Sequence, residues 1–159
     1  MQPGRLKITY LNNSNKTVLV VNPEFPVPLI LNAVAHTVLG LTMSDVAPLW
    51  NFLPYPSPAF GVESRISEYP VIVLRSKRSS ELEKLVLKLK DADISHNAFI
   101  DSMLGASADE QQSATLSAAP GNNRIVCVGL FGTEENIRPL IKSFSLYKTS
   151  DAPAHNIAL

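Results

Sequence analysis

The sequence predicts an α/β domain built on a mixed sheet of about four to five strands, with helices on both faces. Two segments carry this prediction: KTVLVVNPEFPVPLILNAVAHTVLGL at residues 16–41 and IVCVGLFGTEENIRPLIKSFSLY at residues 125–147. Each begins as an apolar strand-like run, passes through a short turn and continues as a helix. Because strands and helices alternate along the chain, we expect both faces of the sheet to be covered.

The first segment predicts a central strand followed by a buried helix. The β-branched run Thr17–Val21 is typical of a strand that is buried on both faces. Prolines then end the strand, and the helix predicted at Leu29–Leu41 is apolar on nearly every side, which indicates burial. Ser44 and Asp45 can cap a second helix, which we expect to run to about Leu53.

The rest of the domain is predicted from the spacing of apolar residues, which repeats every second residue in a strand and about every 3.6 residues in a helix. The predicted elements are a proline-rich loop at 54–61, strands at 69–75, 96–103 and 125–131, helices at 79–91 and 134–141, and an edge strand at 144–147. Residues 105–123 are rich in glycine, alanine and small polar side chains. We therefore expect a loop there, with at most about two helical turns, that acts as a mobile lid. Alternatively, it is a compact loop that packs Leu104 and Leu116 permanently into the core.

Length and composition predict a single folded domain at 16–148, with an N-terminal arm or edge strand at 1–15 and a tail at 149–159. The chain has 159 residues, of which 45% are hydrophobic and 18% charged, as in ordinary globular proteins. The sequence shows no leader-like segment and no apolar run long enough to cross a membrane. We therefore expect a soluble, cytoplasmic protein without a membrane partner.

The charge and the titratable residues exclude several classes of site. The net charge is zero, so the sequence gives no sign of the broad basic face of a nucleic-acid-binding protein. We therefore do not expect tRNA as a partner. Arg75, Lys77 and Arg78 form a local basic cluster, which is either a solvated loop or an anion site. Cys127 is the single cysteine and is expected to be an inert core thiol. The three histidines share no ligand spacing, so we expect neither a metal nor a cofactor.

Asn32 and His36 are the strongest candidates for a functional site. They are spaced i, i+4, so both project from one side of the predicted helix, and Gly40 continues that stripe. In a cleft they could bind a polar ligand, with His36 as a catalytic acid or base because imidazole is the side chain best suited to proton transfer near neutral pH. Alternatively, His36 bonds a strand carbonyl and fixes the helix on the sheet.

Further candidates follow the ends of the predicted strands. Asn22 and Glu24 come directly after the first strand, and Glu24 could form an acid–base pair with His36 or favour the start of the helix through its dipole. Asp101 ends the strand before the predicted lid and could act as its hinge. Thr115 and Ser117 would supply ligand-binding hydroxyls from the lid itself.

The order and spacing of four segments identify a family resemblance. VVNPEFP, LNAVAHTVLGL, YPVIVLR and VGLFGTEENIRPLIKSFSLYK, within residues 16–148, resemble the uncharacterised DUF2000 family. The resemblance implies a three-layer α/β/α domain with the fold of the peptidyl-tRNA hydrolase 2 family. In that enzyme family a histidine stands in an AAQxxHA context, which His36 in NAVAHT matches, and the APG at 119–121 matches the segment entering a later strand.

This chain also departs from the hydrolase pattern. The turn after the first strand reads PEFPVPLI, without the lysine and glycines of the enzymes, and the stretch before the APG reads QQSATLSA, without their aspartate. If the protein is an enzyme, a hydrolase is therefore expected, but one without the lysine. The resemblance leaves a divergent hydrolase of the ester between peptide and tRNA as one function to test.

Two further functions are compatible with the sequence. The first is binding of a small polar ligand or a peptide end in a cleft near Asn22, Glu24, Asn32 and His36, roofed by the loop at 54–61. The second is protein interaction through exposed aromatic residues of the proline-rich region, Phe52, Tyr55 and Phe60, unless these rings close over the core. A homodimer formed through an edge strand is also expected.

Overall fold

The computed structural model describes residues 14–44 and 50–148. Seven strands and four α-helices lie in these ranges: β1 Asn15–Val21, α1 Val27–Leu41, β2 Phe52–Ser57, β3 Val62–Ser67, β4 Val71–Arg75, α2 Ser79–Asp91, β5 Ser95–Ile100, α3 Ala108–Leu116, β6 Ile125–Thr133, α4 Glu134–Ile141 and β7 Ser145–Leu146.

Five of the strands form one mixed sheet in the order β5-β6-β1-β4-β7. The β1–β4 pair is parallel, and the β1–β6, β5–β6 and β4–β7 pairs are antiparallel. The predicted α/β class with a mixed sheet is confirmed. β1, the first strand among the described residues, lies at the centre of this sheet, as its continuous apolar run Val18–Val21 predicts.

The two faces of β1 lead into two separate hydrophobic clusters. Val18 and Val20 pack with Leu82, Leu85 and Leu89 of α2 and with Ile137 of α4 on one face. Leu19 and Val21 pack with Ile30 and Ala33 of α1 on the other face. Alternate residues of a strand point to opposite faces, so one continuous apolar run supplies both clusters. Helices therefore cover both faces of the sheet.

Helices α2 and α4 begin and end as predicted. In α2 the buried leucines are spaced three and four residues apart, with Glu81 in its first turn and lysines in its last. The Thr133 side chain caps α4 by accepting a hydrogen bond from the backbone N–H of Asn136, 3.3 Å away. These signals are local, which is why the sequence reveals them.

Helix α1 differs from its prediction, because only one of its faces is buried. Ile30, Ala33, Thr37 and Leu41 lie against the sheet, whereas Leu39 on the opposite side is 65% exposed. The prediction of a fully buried helix is wrong because α1 forms the outer layer on this face of the sheet.

Residues 52–67 form a β-hairpin and not the predicted loop. β2 and β3 pair with each other in a separate two-stranded sheet, joined by a turn with Gly61 in the left-handed conformation. The predicted helix ending near Leu53 is therefore wrong at its end, and its proposed start at Asp45 lies outside the described residues. At the base of the hairpin, the Trp50 ring lies 5.1 Å from that of Phe131 on β6.

The predicted lid contains a regular helix, α3. The Ser107 hydroxyl caps it by accepting from the backbone N–H of Glu110, and Asp109 and Glu110 lie in its first turn. The predicted strand before the lid ends earlier than expected, at Ile100, where a turn of 3₁₀ helix at Asp101–Met103 begins. The expected arm at 1–15, apart from residues 14 and 15, and the tail at 149–159 lie outside the described residues.

Cys127 lies near the start of β6 and is fully buried. Burial raises the pKa of its thiol from an ordinary value of 9.0 to about 12, opposed only in part by the nearby Thr37 hydroxyl. Between pH 9 and pH 12 the unfolded chain has therefore lost a proton that the folded chain retains. Stability attributable to this thiol is complete below pH 9 and falls as the pH rises, by up to about 1.4 kcal/mol per pH unit.

We expect Cys127→Ala to reduce this alkaline loss of stability. Between pH 8 and pH 10 the free energy of unfolding of the wild type should fall by about 1 kcal/mol more than that of the variant. Urea unfolding of both proteins at the two pH values measures the difference. The same pH dependence in both proteins would show that the thiol is not protected from ionisation by the fold.

Candidate functional site

A cleft of about 970 Å³ opens between α1, β5 and α3. Its wall combines neutral polar side chains with apolar ones, and the segment that joins β5 to α3 contributes Met103, Leu104 and Gly105 to it. The lining residues are Asn32, His36, Thr37, Asn97, Ala98, Phe99, Met103, Leu104, Gly105, Gln111, Gln112, Thr115 and Leu116.

Helix α1 contributes Asn32 and His36 to the cleft, as their i, i+4 spacing allows. The His36 ring lies 5.8 Å from the ring of Phe99 on β5, tilted by 31°. The side chains of Asn32 and His36, which are both exposed, form no hydrogen bond to any residue in 14–44 or 50–148. The alternative in which His36 bonds a strand carbonyl therefore has no counterpart in this structure, and both side chains are available to a ligand.

Asn97 on β5, and not His36, is the side chain that fixes α1 against the sheet. Its side-chain Nδ2 donates to the backbone oxygen of Thr37 at 3.1 Å. A Cβ at position 40 would overlap this amide, so Gly40 permits the close approach of α1 to β5. Asn97 therefore occupies the space beside Gly40. Sequence reasoning missed Asn97, because a polar residue within a strand cannot be told from an ordinary surface residue by its local sequence.

Helix α3 forms the opposite wall. Thr115 lines the cleft, and its hydroxyl lies 3.0 Å from the Ser102 hydroxyl of the turn after β5. Gln111 is held by its Nε2, which donates to the backbone oxygen of Gly105 at 2.9 Å. Gln112 lines the cleft, and its side chain has no hydrogen-bond partner among the residues described. Sequence reasoning missed both glutamines, because a polar helix shows no periodicity that marks its inner face.

The structure places Asn22 and Glu24 away from the cleft. Asn22 is fully buried, and its side chain bridges two chain segments: Nδ2 donates to the Ile125 oxygen, and Oδ1 accepts from the Glu24 backbone N–H. The Glu24 carboxylate accepts from Arg124 at 3.5 Å. Helix α1 rises about 13 Å between its start and His36, so the predicted Glu24–His36 pair is not brought together. Nor does an acidic residue lie in the first turn of α1.

Asp101 and Ser117 lie at the two ends of the α3 region without lining the cleft. The Asp101 carboxylate accepts from Asn123 Nδ2 at 3.0 Å, which joins the start of the segment to its end. The Ser117 hydroxyl donates to the Ser113 oxygen at the end of α3. The roof of the cleft is α3 and not the segment 54–61, which belongs to the hairpin. The basic cluster at 75–78 does not line the cleft either.

The cleft is electrically neutral. Among the described residues that line it, His36 is the only titratable side chain, and no Asp, Glu, Lys or Arg contributes. Within the described parts of the chain, no cluster of three or more His, Cys, Asp or Glu residues could hold a metal ion. In the same residues no helix has both the length and the apolar character needed to cross a membrane.

Fold and cleft together define a class of protein: an α/β domain with a mixed five-stranded sheet and a neutral cleft beneath a peripheral helix. The chain belongs to the family described as "Protein of unknown function (DUF2000)", whose model matches residues 15–148. This confirms the family resemblance read from the sequence.

A solved structure supports the fold at greater distance. The chain is similar to a protein of unknown function from Agrobacterium tumefaciens strain C58, with 20% identity and a TM-score of 0.70. The similarity covers 85% of this chain and 98% of that one, and at this identity it shows the fold alone. No curated protein matches the chain.

Proposed function

We propose that this domain binds a small, electrically neutral ligand in the cleft between α1, β5 and α3. The observation that carries the proposal is a set of three polar side chains that line the cleft without bonding to any described residue: Asn32, His36 and Gln112. Such groups can exchange hydrogen bonds with a ligand at no cost to the fold.

The chemistry of the lining narrows the ligand class. Carboxamides offer both a donor and an acceptor, which matches amide or similar neutral groups on a ligand. Phe99, Met103 and Leu104 supply an apolar surface beside them. A charged ligand would find no compensating charge and would lose hydration on entry. We therefore favour a neutral molecule with amide-type groups next to an apolar portion, such as a blocked peptide end.

Hydrolysis of a peptide–tRNA ester is a second candidate, supported by the position of His36 in the cleft. The matching histidine context suggests a general base, and the Thr115 hydroxyl lies in the same cleft. The neutral lining gives no place for the phosphates of tRNA. This function predicts release of N-blocked amino acids from tRNA at low salt, lost in His36→Ala.

A thermal-shift screen with N-acetyl amino acid amides tests the first proposal. We expect N-acetyl-leucinamide or N-acetyl-phenylalaninamide to stabilise the protein more than the corresponding free amino acids do. Asn32→Ala and His36→Ala should each weaken this binding about five- to tenfold, the worth of one ligand hydrogen bond.

Matched controls lie outside the cleft. Asn136 is exposed on α4, and His96 bonds the Ile94 oxygen from β5, so Asn136→Ala and His96→Ala should bind as the wild type does. No stabilisation by any amide, or equal binding by cleft and control variants, would overturn the proposal. Turnover of the blocked aminoacyl-tRNA that depends on His36 would favour the hydrolase instead.

A further inference from the structure

The β2–β3 hairpin is a two-stranded ribbon with little support from the rest of the described chain. All of its strand residues are exposed except Ser57 and Ser67, which are half-buried, and Phe60 at its tip is 83% exposed. The rings of Phe52 and Tyr55 are also exposed, so they do not close over the core. An isolated two-stranded ribbon is at best marginally stable in water, which indicates that this one gains strands elsewhere.

One edge of the ribbon cannot accept a further strand. The Glu68 N–H donates to the Asn51 oxygen at 2.8 Å, which makes 51 and 68 a hydrogen-bonded pair. Since bonded and non-bonded pairs alternate in antiparallel ribbons, the pairs Pro54–Arg65 and Pro56–Glu63 are non-bonded. The two prolines therefore face outward from β2, and at these positions its outer edge has no N–H to donate.

The other edge is open. The same alternation directs the backbone N–H and C=O groups of Glu63 and Arg65 away from β2. No strand among the described residues pairs with β3 on that side. The ribbon therefore offers one edge, β3, for strand addition.

The sequence of this edge is complementary to itself. In VESRIS, Glu63 and Arg65 lie on one face of the ribbon, where their side chains pair at 3.3 Å within the strand, and Val62, Ser64 and Ile66 lie on the other. An antiparallel pairing of two copies centred on Ser64 sets Glu63 opposite Arg65 of the partner subunit, and Val62 opposite the partner's Ile66. Opposite charges and apolar pairs both stabilise antiparallel strands in such positions.

We propose that two copies of this chain associate through β3, antiparallel and centred on Ser64, to form a four-stranded sheet. In this register the Glu63–Arg65 pairs fall at hydrogen-bonding positions, so each pair also exchanges both backbone hydrogen bonds. Centring on Glu63 or on Arg65 would place like charges directly opposite each other. The charge pattern thus selects both the partner, a second copy, and the register.

Charge reversal tests the interface by sedimentation equilibrium across a range of protein concentrations. Glu63→Arg alone and Arg65→Glu alone each place like charges opposite each other, so we expect dimerisation to weaken about tenfold or more. The double variant, Glu63→Arg with Arg65→Glu, restores opposite charges in the same register and should recover the dimer. Circular dichroism of each variant verifies that the fold is retained.

A cross-link reads out the register directly. Ser64 would face its own copy across the two-fold axis in a non-bonded pair, where Cα atoms lie about 4.5 Å apart, close enough for a disulfide. Ser64→Cys should therefore form a covalent dimer on mild oxidation. Ser67→Cys on the same strand, which would lie far from its own copy, should not, and the native Cys127 is buried and cannot interfere.

A monomeric wild type at all concentrations would overturn the proposal and would show that a second copy does not occupy this edge. A dimer that survives both single reversals, or one that the double variant fails to recover, would equally overturn it. Cross-linking of Ser67→Cys in preference to Ser64→Cys would exclude the register.

Discussion

Replacing Leu89 with alanine is expected to lower the free energy of unfolding by about 2 to 5 kcal/mol. Leu89 is fully buried on α2, in the cluster formed with Val18, Val20 and Leu130 of the sheet. The substitution removes three carbons and leaves a cavity that these branched neighbours cannot fill. Domains of this size are stable by about 5 to 15 kcal/mol, so the loss is a large part of the total.

Leu87 provides a matched control on the same helix. It is 61% exposed, so Leu87→Ala makes the identical chemical change at the surface and should alter stability by no more than about 0.5 kcal/mol. Urea unfolding of the three proteins gives the comparison. Equal losses for both variants would mean that α2 does not pack against the sheet through the face described.

Backbone amides of α3 are expected to exchange with solvent at least about a hundredfold faster than those of β6. Helix α3 has no buried residue, and Leu116 at its end is 92% exposed. Opening this helix therefore exposes little additional apolar surface, whereas opening β6 disrupts the centre of the sheet. Hydrogen exchange at residues 112–116 and at 126–130 compares the two segments within one molecule.

A ligand in the cleft should slow exchange in α3 and leave β6 unchanged. The Ser102–Thr115 contact is the hydrogen bond that ties the helix to the turn after β5, so Thr115→Val should increase exchange in α3 further. Protection of α3 equal to that of β6 in the free protein would show that this segment is permanently packed and is no lid.

Elements determined by interactions between residues close in sequence were predicted correctly, and elements determined by distant contacts were not. Helices α2 and α4 could be predicted because caps and apolar spacing lie within a few residues. The hairpin could not be predicted, because Pro54 and Pro56 argue against a strand. They are compatible with one only when both face away from the partner strand, and the sequence does not show this. The exposed side of α1 was missed because its apolar sequence does not reveal how many layers cover it.

The candidate site shows the same division. Asn32 and His36 share a helix face, so their common position in the cleft follows from spacing alone. The Glu24–His36 pair failed because it required a direction for α1 that only the tertiary structure supplies. Asn97 and the two glutamines at 111 and 112 reach the cleft from other elements, and nothing in their local sequence distinguishes them from ordinary surface residues.

The central position of β1 also has a consequence for how the chain acquires its structure. β1 is the first strand among the described residues, yet Val18 pairs with Leu130 on one side and with Ile72 on the other. During synthesis, both edges of β1 can be paired only after nearly the whole domain has left the ribosome. Contacts so distant in sequence slow folding. We therefore expect refolding to be slow for a domain of this size, with β1 exposed to aggregation until β6 is in place.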